Sequence, residues 1–163
     1  MICDWLPNII EYASFNGEYQ KFFDETYRKL IDDFYKEHVF LDKRPVHLLP
    51  DEADDGRLKI YWHIGGDDGN SLNKELDTRR IEKIPWIKAI IENYMAPEVR
   101  VWRVDAKGGT RLCLWLTSED YIVVLKERRL KLLLITAYTP LTKGHEIELE
   151  EQYRKYKIDK PIY

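Results

Sequence analysis

Arg129-Leu130-Lys131-Leu132-Leu133-Leu134-Ile135-Thr136-Ala137-Tyr138 is an apolar run that gives way to hydroxyl-bearing residues at its end. Its leading part suits a buried strand. A rigid strand with hydroxyls at its mouth is a good place to build a site. The same pattern also describes a plain core strand running into a loop, so its meaning depends on its neighbours.

Working back from this run, the chain reads as strands in hairpin succession over 99–104, 111–116, 121–126 and 130–136. The turn between the first pair holds Asp105, Lys107, Gly108 and Gly109, residues that favour tight reversals. Links this short require antiparallel neighbours. Leu112, Leu114 and Leu116 fall on one face, and Arg111, Cys113 and Trp115 on the other. The sheet therefore has an apolar face for helices and a mixed face that carries Arg111 and Lys126. Residues 58–64, Leu-Lys-Ile-Tyr-Trp-His-Ile, alternate and are rich in β-formers, so they read as a further strand. It would add His63 to the mixed face. The glycine cluster that follows, at 65–70, lacks a Lys-Ser/Thr end and is neither a P-loop nor a GxGxxG fingerprint.

Helical spacing appears in three places. Over 18–38, Phe23, Tyr27, Leu30, Ile31, Phe34 and His38 recur at intervals of three and four, with acidic and basic residues opposite. Over 85–95, Pro85 suits a first helical turn, and Trp86, Ile87, Ile90, Ile91 and Tyr94 make a stripe. Over 146–157 a charged helix would turn Leu149, Tyr153 and Tyr156 inward. Residues 39–57, with two prolines and the acidic cluster 51–55, read as turns. The cluster lacks the spacing of a calcium loop. The expected architecture is α+β: helices first, then an antiparallel sheet of four or five strands with a packed middle helix, then a closing helix.

The 163 residues fit one domain. Within it the chain divides into an arm at 1–16, a helical front at 17–57, a sheet-and-helix core at 58–157 and a tail at 158–163. Charge is uneven. Residues 1–56 hold 6 Lys/Arg against 13 Asp/Glu, whereas residues 99–136 hold 8 against 4. A net charge of −3 argues against a general polyanion binder, but the basic strand region allows a local phosphate site. Cys3 and Cys113 are far apart and match no metal spacing, which fits a reduced, cytoplasmic protein. No run approaches a membrane span, and the N-terminus lacks the form of a signal peptide.

The motifs exclude several chemistries. There is no G-x-S-x-G elbow, and the histidines at 38, 47, 63 and 145 show no metal-ligand spacing. One constellation remains: His63, Arg79 and Arg80 before a helix, Arg111 on the strands, and Thr136 and Tyr138 at a strand end. Metal-free RNA cleavage uses these types. A base takes the 2′-hydroxyl proton, cations stabilise the five-coordinate phosphorus, and an acid protonates the leaving 5′-oxygen. Each of these residues, taken singly, also has an ordinary structural reading.

The order of Tyr61-Trp62-His63-Ile64, Arg79-Arg80 before Pro85-Trp86-Ile87, the run DYIVVLKERRLKLLLITAY and a charged terminal helix resembles a nuclease group. It is the phage-associated branch of the barnase–EndoU–colicin–RelE-like (BECR) fold, and the resemblance covers about residues 20–157. It implies a metal-independent endoribonuclease without cofactor, a toxin or mobile-element effector acting on RNA, with a cognate inhibitor or immunity protein as partner. By position, His63 would transfer protons. Arg79, Arg80 and Arg111 would bind phosphate, Arg111 within the catalytic group. Thr136 and Tyr138 would orient the phosphate or assist proton transfer, and Lys126 would join the RNA-binding set. The acidic balance departs from the usual basic character of such toxins. Two other functions suit the composition: an acidic, non-catalytic protein-binding module of the immunity or antitoxin kind, and a nucleic-acid-binding accessory protein using basic strands and aromatics.

Overall fold

The computed structural model describes residues 3–66 and 77–162. The expected strands form β3 (Val99–Ala106), β4 (Gly109–Leu116), β5 (Tyr121–Glu127) and β6 (Leu132–Tyr138), an antiparallel meander. The sheet has six strands rather than four or five, in the order β1-β2-β6-β5-β4-β3. The added pair, β1 (Val39–Leu41) and β2 (Arg44–His47), is a small hairpin turned at Asp42, which takes a left-handed φ of 55°. It occupies a stretch read as turns. Three and four residues with a proline carry too little alternation to declare themselves. Pairing makes them strands: Val46 and His47 run parallel to Leu132 and Leu133.

The two sheet faces are set by the alternation of the strands. Leu112, Leu114, Leu116, Tyr121, Val123, Leu125, Leu132, Leu134 and Ala137 face one continuous core that also takes Cys3 near one end of the chain and Ile162 near the other. Against this face packs α4 (Ile84–Glu92), and on α4 packs α1 (Tyr19–Ile31), continued by a π-helical turn at Asp32–Lys36. Phe22, Thr26 and Leu30 form the most buried line of α1, one residue round from the stripe centred on Phe23 and Tyr27. In α4, Pro85 stands in the first turn as expected, and Trp86, Ile87, Ile90 and Ile91 are buried.

The opposite face holds a second cluster, Trp102, Cys113, Trp115 and Ile122, closed by Leu149 of α5 (Lys143–Tyr156). Tyr153 joins this cluster, but Tyr156 is exposed rather than inward. α5 crosses only one end of the face. Along β4, residues 112–116 are buried on both sides, whereas Gly109, Thr110 and Arg111 stay partly open. Ile135 is an extra residue at a bulge, since Val124 pairs with Thr136 and Leu125 with Leu134. The bulge turns Thr136 and Tyr138 onto the second face, beside Val124 and Ile122.

The stretch 58–64 is a helix, α2 (Lys59–Ile64), and not the strand its alternation predicts. Seven residues permit either reading, and the tertiary contacts decide. Tyr61 is fully buried and its hydroxyl meets Thr26 Oγ1 of α1 at 2.8 Å. Trp62 Nε1 donates to Asp55 Oδ1 at 2.9 Å. As a helix the segment buries Ile60, Tyr61, Trp62 and Ile64 together and leaves Lys59 and His63 exposed on one face. The glycine cluster that follows lies, from residue 67 on, outside the described residues. Among the described residues no helix is long and apolar enough to cross a membrane.

Candidate functional site

A cavity of about 310 Å³ opens where β6 ends, lined by His63, Gly66, Arg80, Thr136, Tyr138, Thr139, Leu141 and His145. Four residues nominated by the sequence meet here: His63, Arg80, Thr136 and Tyr138. They come from different elements. α2 packs on β6 and carries His63 in its last turn, so the imidazole faces the strand mouth.

Arg80 belongs to the short helix α3 (Thr78–Glu82), capped by Asp77, whose carboxylate accepts from Arg79 N at 3.0 Å. The Arg80 side chain is only one-fifth exposed. Its Nε lies 3.8 Å from Asp77 Oδ2, an ion pair too long for a hydrogen bond, and among the described residues this buried donor has no hydrogen-bond acceptor. A buried donor left unpaired carries a desolvation cost that a ligand oxygen would relieve. Gly66 gives the guanidinium its room. A Cβ there would stand 3.1 Å from Arg80 Nη1, and the glycine also takes a φ of 97°. Beneath, burial raises the Tyr121 hydroxyl pKa, with the charge of Arg80 opposing.

His145 was not singled out by the sequence. Its place follows from the start of α5. Thr142 caps the helix, its Oγ1 accepting from His145 N at 3.1 Å, and this fixes the first turn beside β6. The His145 ring stacks on Tyr138 with centroids 5.5 Å apart, and its Nε2 lies 3.4 Å from the Tyr138 hydroxyl. Burial raises the Tyr138 pKa, and Cys113 adds to the shift, so this hydroxyl stays protonated at neutral pH. The available signal was the short link between Tyr138 and Thr142. A helix that starts so soon after a strand keeps its first turn at the strand mouth.

A second cavity of about 310 Å³ continues the first, sharing Arg80, Thr139 and Leu141 and adding Asp77, Arg79, Lys83 and Pro140. Lys83 was also missed by the sequence. It donates to Thr139 Oγ1 at 3.3 Å and lies over the Trp86 and Tyr121 rings. Arg79 is mostly exposed at the rim.

Arg111 and Lys126 line neither cavity. They are cross-strand partners, and Lys126 also pairs with Leu133. They share the second face with Thr136, and Lys126 stands two residues along β5 from Val124, the partner of Thr136. That step is about 7 Å. Arg111 therefore lies beside the cavity rather than among its lining residues.

The arrangement places two imidazoles, a protonated phenol, a threonine hydroxyl and an arginine with a free donor around one opening. Among the described residues, no three His, Cys, Asp or Glu side chains are grouped as a metal ion would need. No protein-family model matches this chain, nor does any curated protein or solved structure.

Proposed function

We propose that the protein is a metal-independent endoribonuclease, and that His63 and His145 are its proton-transfer pair. One observation carries the reading: two imidazoles, delivered by α2 and α5, line the same cavity as Arg80 and the end of β6. Histidine exchanges protons near neutral pH, so two of them can serve as base and acid in one displacement. The first imidazole takes the proton from a ribose 2′-hydroxyl. The 2′-oxygen bonds to phosphorus while the bond to the 5′-oxygen breaks. The second, as imidazolium, gives its proton to that leaving oxygen. The products are a 2′,3′-cyclic phosphate and a 5′-hydroxyl end.

Charge grows on the phosphate oxygens during this step. Arg80 offers a planar fork with an unpaired Nε, and Thr136 adds a hydroxyl at the strand mouth. Tyr138 orients His145 through stacking and the contact to Nε2. Arg79 and Lys83 extend positive charge along the adjoining cavity, where a neighbouring part of the RNA would lie. The likeness to phage-associated BECR nucleases agrees with this role, and a toxin or effector of that kind would need a cognate inhibitor.

The test is incubation of purified protein with total RNA and transfer RNA in EDTA, beside His63→Ala and His145→Ala. The reading expects cleavage that survives EDTA, leaves cyclic phosphate ends and has a bell-shaped pH profile. Each alanine variant should abolish one limb of the profile. Intact RNA in every pool, with the protein instead retaining an acidic or basic protein partner, would favour the binding-module function.

A further inference from the structure

Lys126, Arg111 and Arg128 converge on the turn between β3 and β4. A Cβ at Gly108 would lie 3.6 Å from Lys126 Nζ and 4.0 Å from Arg111 Nη2, and one at Gly109 would lie 3.2 Å from Arg128 Nη1. Among the described residues Arg111 donates only to the carbonyls of Lys107 and Gly109, at 3.3 and 3.5 Å. Among the described residues, no carboxylate pairs with any of these three cations. The nearby acids are committed elsewhere. Glu127 lies on the other face, bonded to Arg44 and Arg103, and Asp105 receives Thr110 Oγ1. The cations therefore face one another, and the ammonium feels it. Burial, then Arg128 and Arg111, lower the Lys126 pKa. Like charges gathered without a counter-charge favour an anion.

The ground between this cluster and the cavity is apolar. Val124 and Leu133 are half-buried there, on the end of the face that α5 leaves uncovered. A single strand of RNA combines these two needs, a charged backbone and flat apolar rings. We propose that Lys126, Arg111 and Arg128 form a second phosphate subsite, holding the RNA backbone beside the scissile position while the intervening nucleotide lies over Val124 and Leu133. The proposal rests on the reading of RNA as the ligand, and its test does not require cleavage.

The probe is a fluorescein-labelled 2′-O-methyl RNA hexamer, which cannot form the cyclic phosphate. Its anisotropy is titrated against wild type, the triple variant Arg111→Gln/Lys126→Gln/Arg128→Gln, and a charge-matched control, Lys21→Gln/Lys155→Gln/Lys157→Gln. Thermal melts check that all three fold. The triple variant should lose about tenfold or more in affinity, and its salt slope should fall by about 2, as expected for three lost contacts to a single strand. The control should bind as wild type does. Equal affinity and slope in wild type and triple variant would overturn the subsite. So would wild type binding an acidic polypeptide in preference to the hexamer, with only that binding lost in the triple variant. If the hexamer behaves as expected while unmodified RNA stays intact, the subsite stands and the nuclease reading falls.

Discussion

The two ends of the second sheet face are built from the same strands and treated differently. At one end Trp102, Cys113, Trp115 and Ile122 lie beneath α5, with Leu149 inserted between them. At the other, two residues further along each strand, Arg111, Val124, Lys126 and Thr136 are only partly covered. Alternation alone makes both ends look alike. The helix decides, because α5 starts at the mouth of β6 and runs toward β3, leaving the far corner bare. Chemistry differs accordingly. At the covered end, burial pushes the Cys113 thiol up to about 12, which makes it inert packing. At the open end, Arg111, Lys126 and Arg128 have no carboxylate partner among the described residues. The cavity lies at the boundary, where an imidazole from α5 meets one from α2.

This contrast can be broken most severely at the boundary. His63→Ala and His145→Ala should each lower RNA cleavage by about 10²–10⁴-fold, the usual worth of a general acid or base. Both should leave the melting curve nearly unchanged. A large drop in thermal stability with unaltered cleavage would mean that the imidazoles hold the elements together rather than act. In the core beneath the first face, Leu134→Ala should cost about 2–5 kcal/mol, because Leu134 is fully buried among large neighbours. Urea unfolding measures it, and a loss below 1 kcal/mol would contradict the packing described.

Glu127 gives a pH-dependent test of the same face. Burial alone would raise its pKa, but hydrogen bonds from Arg103 and Arg44 and their charges outweigh this and leave it lowered from 4.5. A carboxylate with a depressed folded pKa contributes stability that is complete above its unfolded value and fades as pH falls through the folded value. Glu127→Gln should therefore cost about 1.5–3 kcal/mol at pH 7. The gap between wild type and variant in urea midpoint should close below the ordinary glutamate range. A constant gap down to pH 3 would exclude the ionised bridge as its source.

Smaller effects refine the picture. Thr26→Val removes the Oγ1 contact to Tyr61 and should cost about 1 kcal/mol, loosening α2 and the imidazole it carries. Cleavage should fall with it. At the open end, Arg111→Gln should change stability by less than about 0.5 kcal/mol. The same substitution should still weaken RNA binding, which would separate a surface kept for a ligand from one kept for packing.

Much of the molecule was legible in the residues. The meander β3 to β6 announced itself through alternation and through Gly108 and Gly109, which supply backbone conformations that few other residues adopt. Helix α4 was marked by Pro85 and its apolar stripe. Thr136, Tyr138, His63 and Arg80 were nominated from residue type and position, and all four line one cavity. What the sequence withheld involves short segments and docking. Six residues at 59–64 satisfy both a strand and a helix pattern, and distant contacts, among them Tyr61 with Thr26 and Phe23 of α1 and Trp62 with Asp55, select the helix. The hairpin of β1 and β2 exists because β6 offers it an edge.

By itself, then, the sequence determined the α+β class, the central strands and most of the polar residues gathered at the end of β6, because periodicity and turn chemistry are local properties. The tertiary structure alone decided that His145 joins His63, that Arg80 keeps a donor unpaired among the described residues, and that Arg111 and Lys126 lie beside the cavity rather than in it. Those outcomes depend on where α2 and α5 dock on the sheet. Docking is set by contacts between residues far apart in the chain, and apart from the short link that keeps His145 at the mouth of β6, local patterns do not encode them.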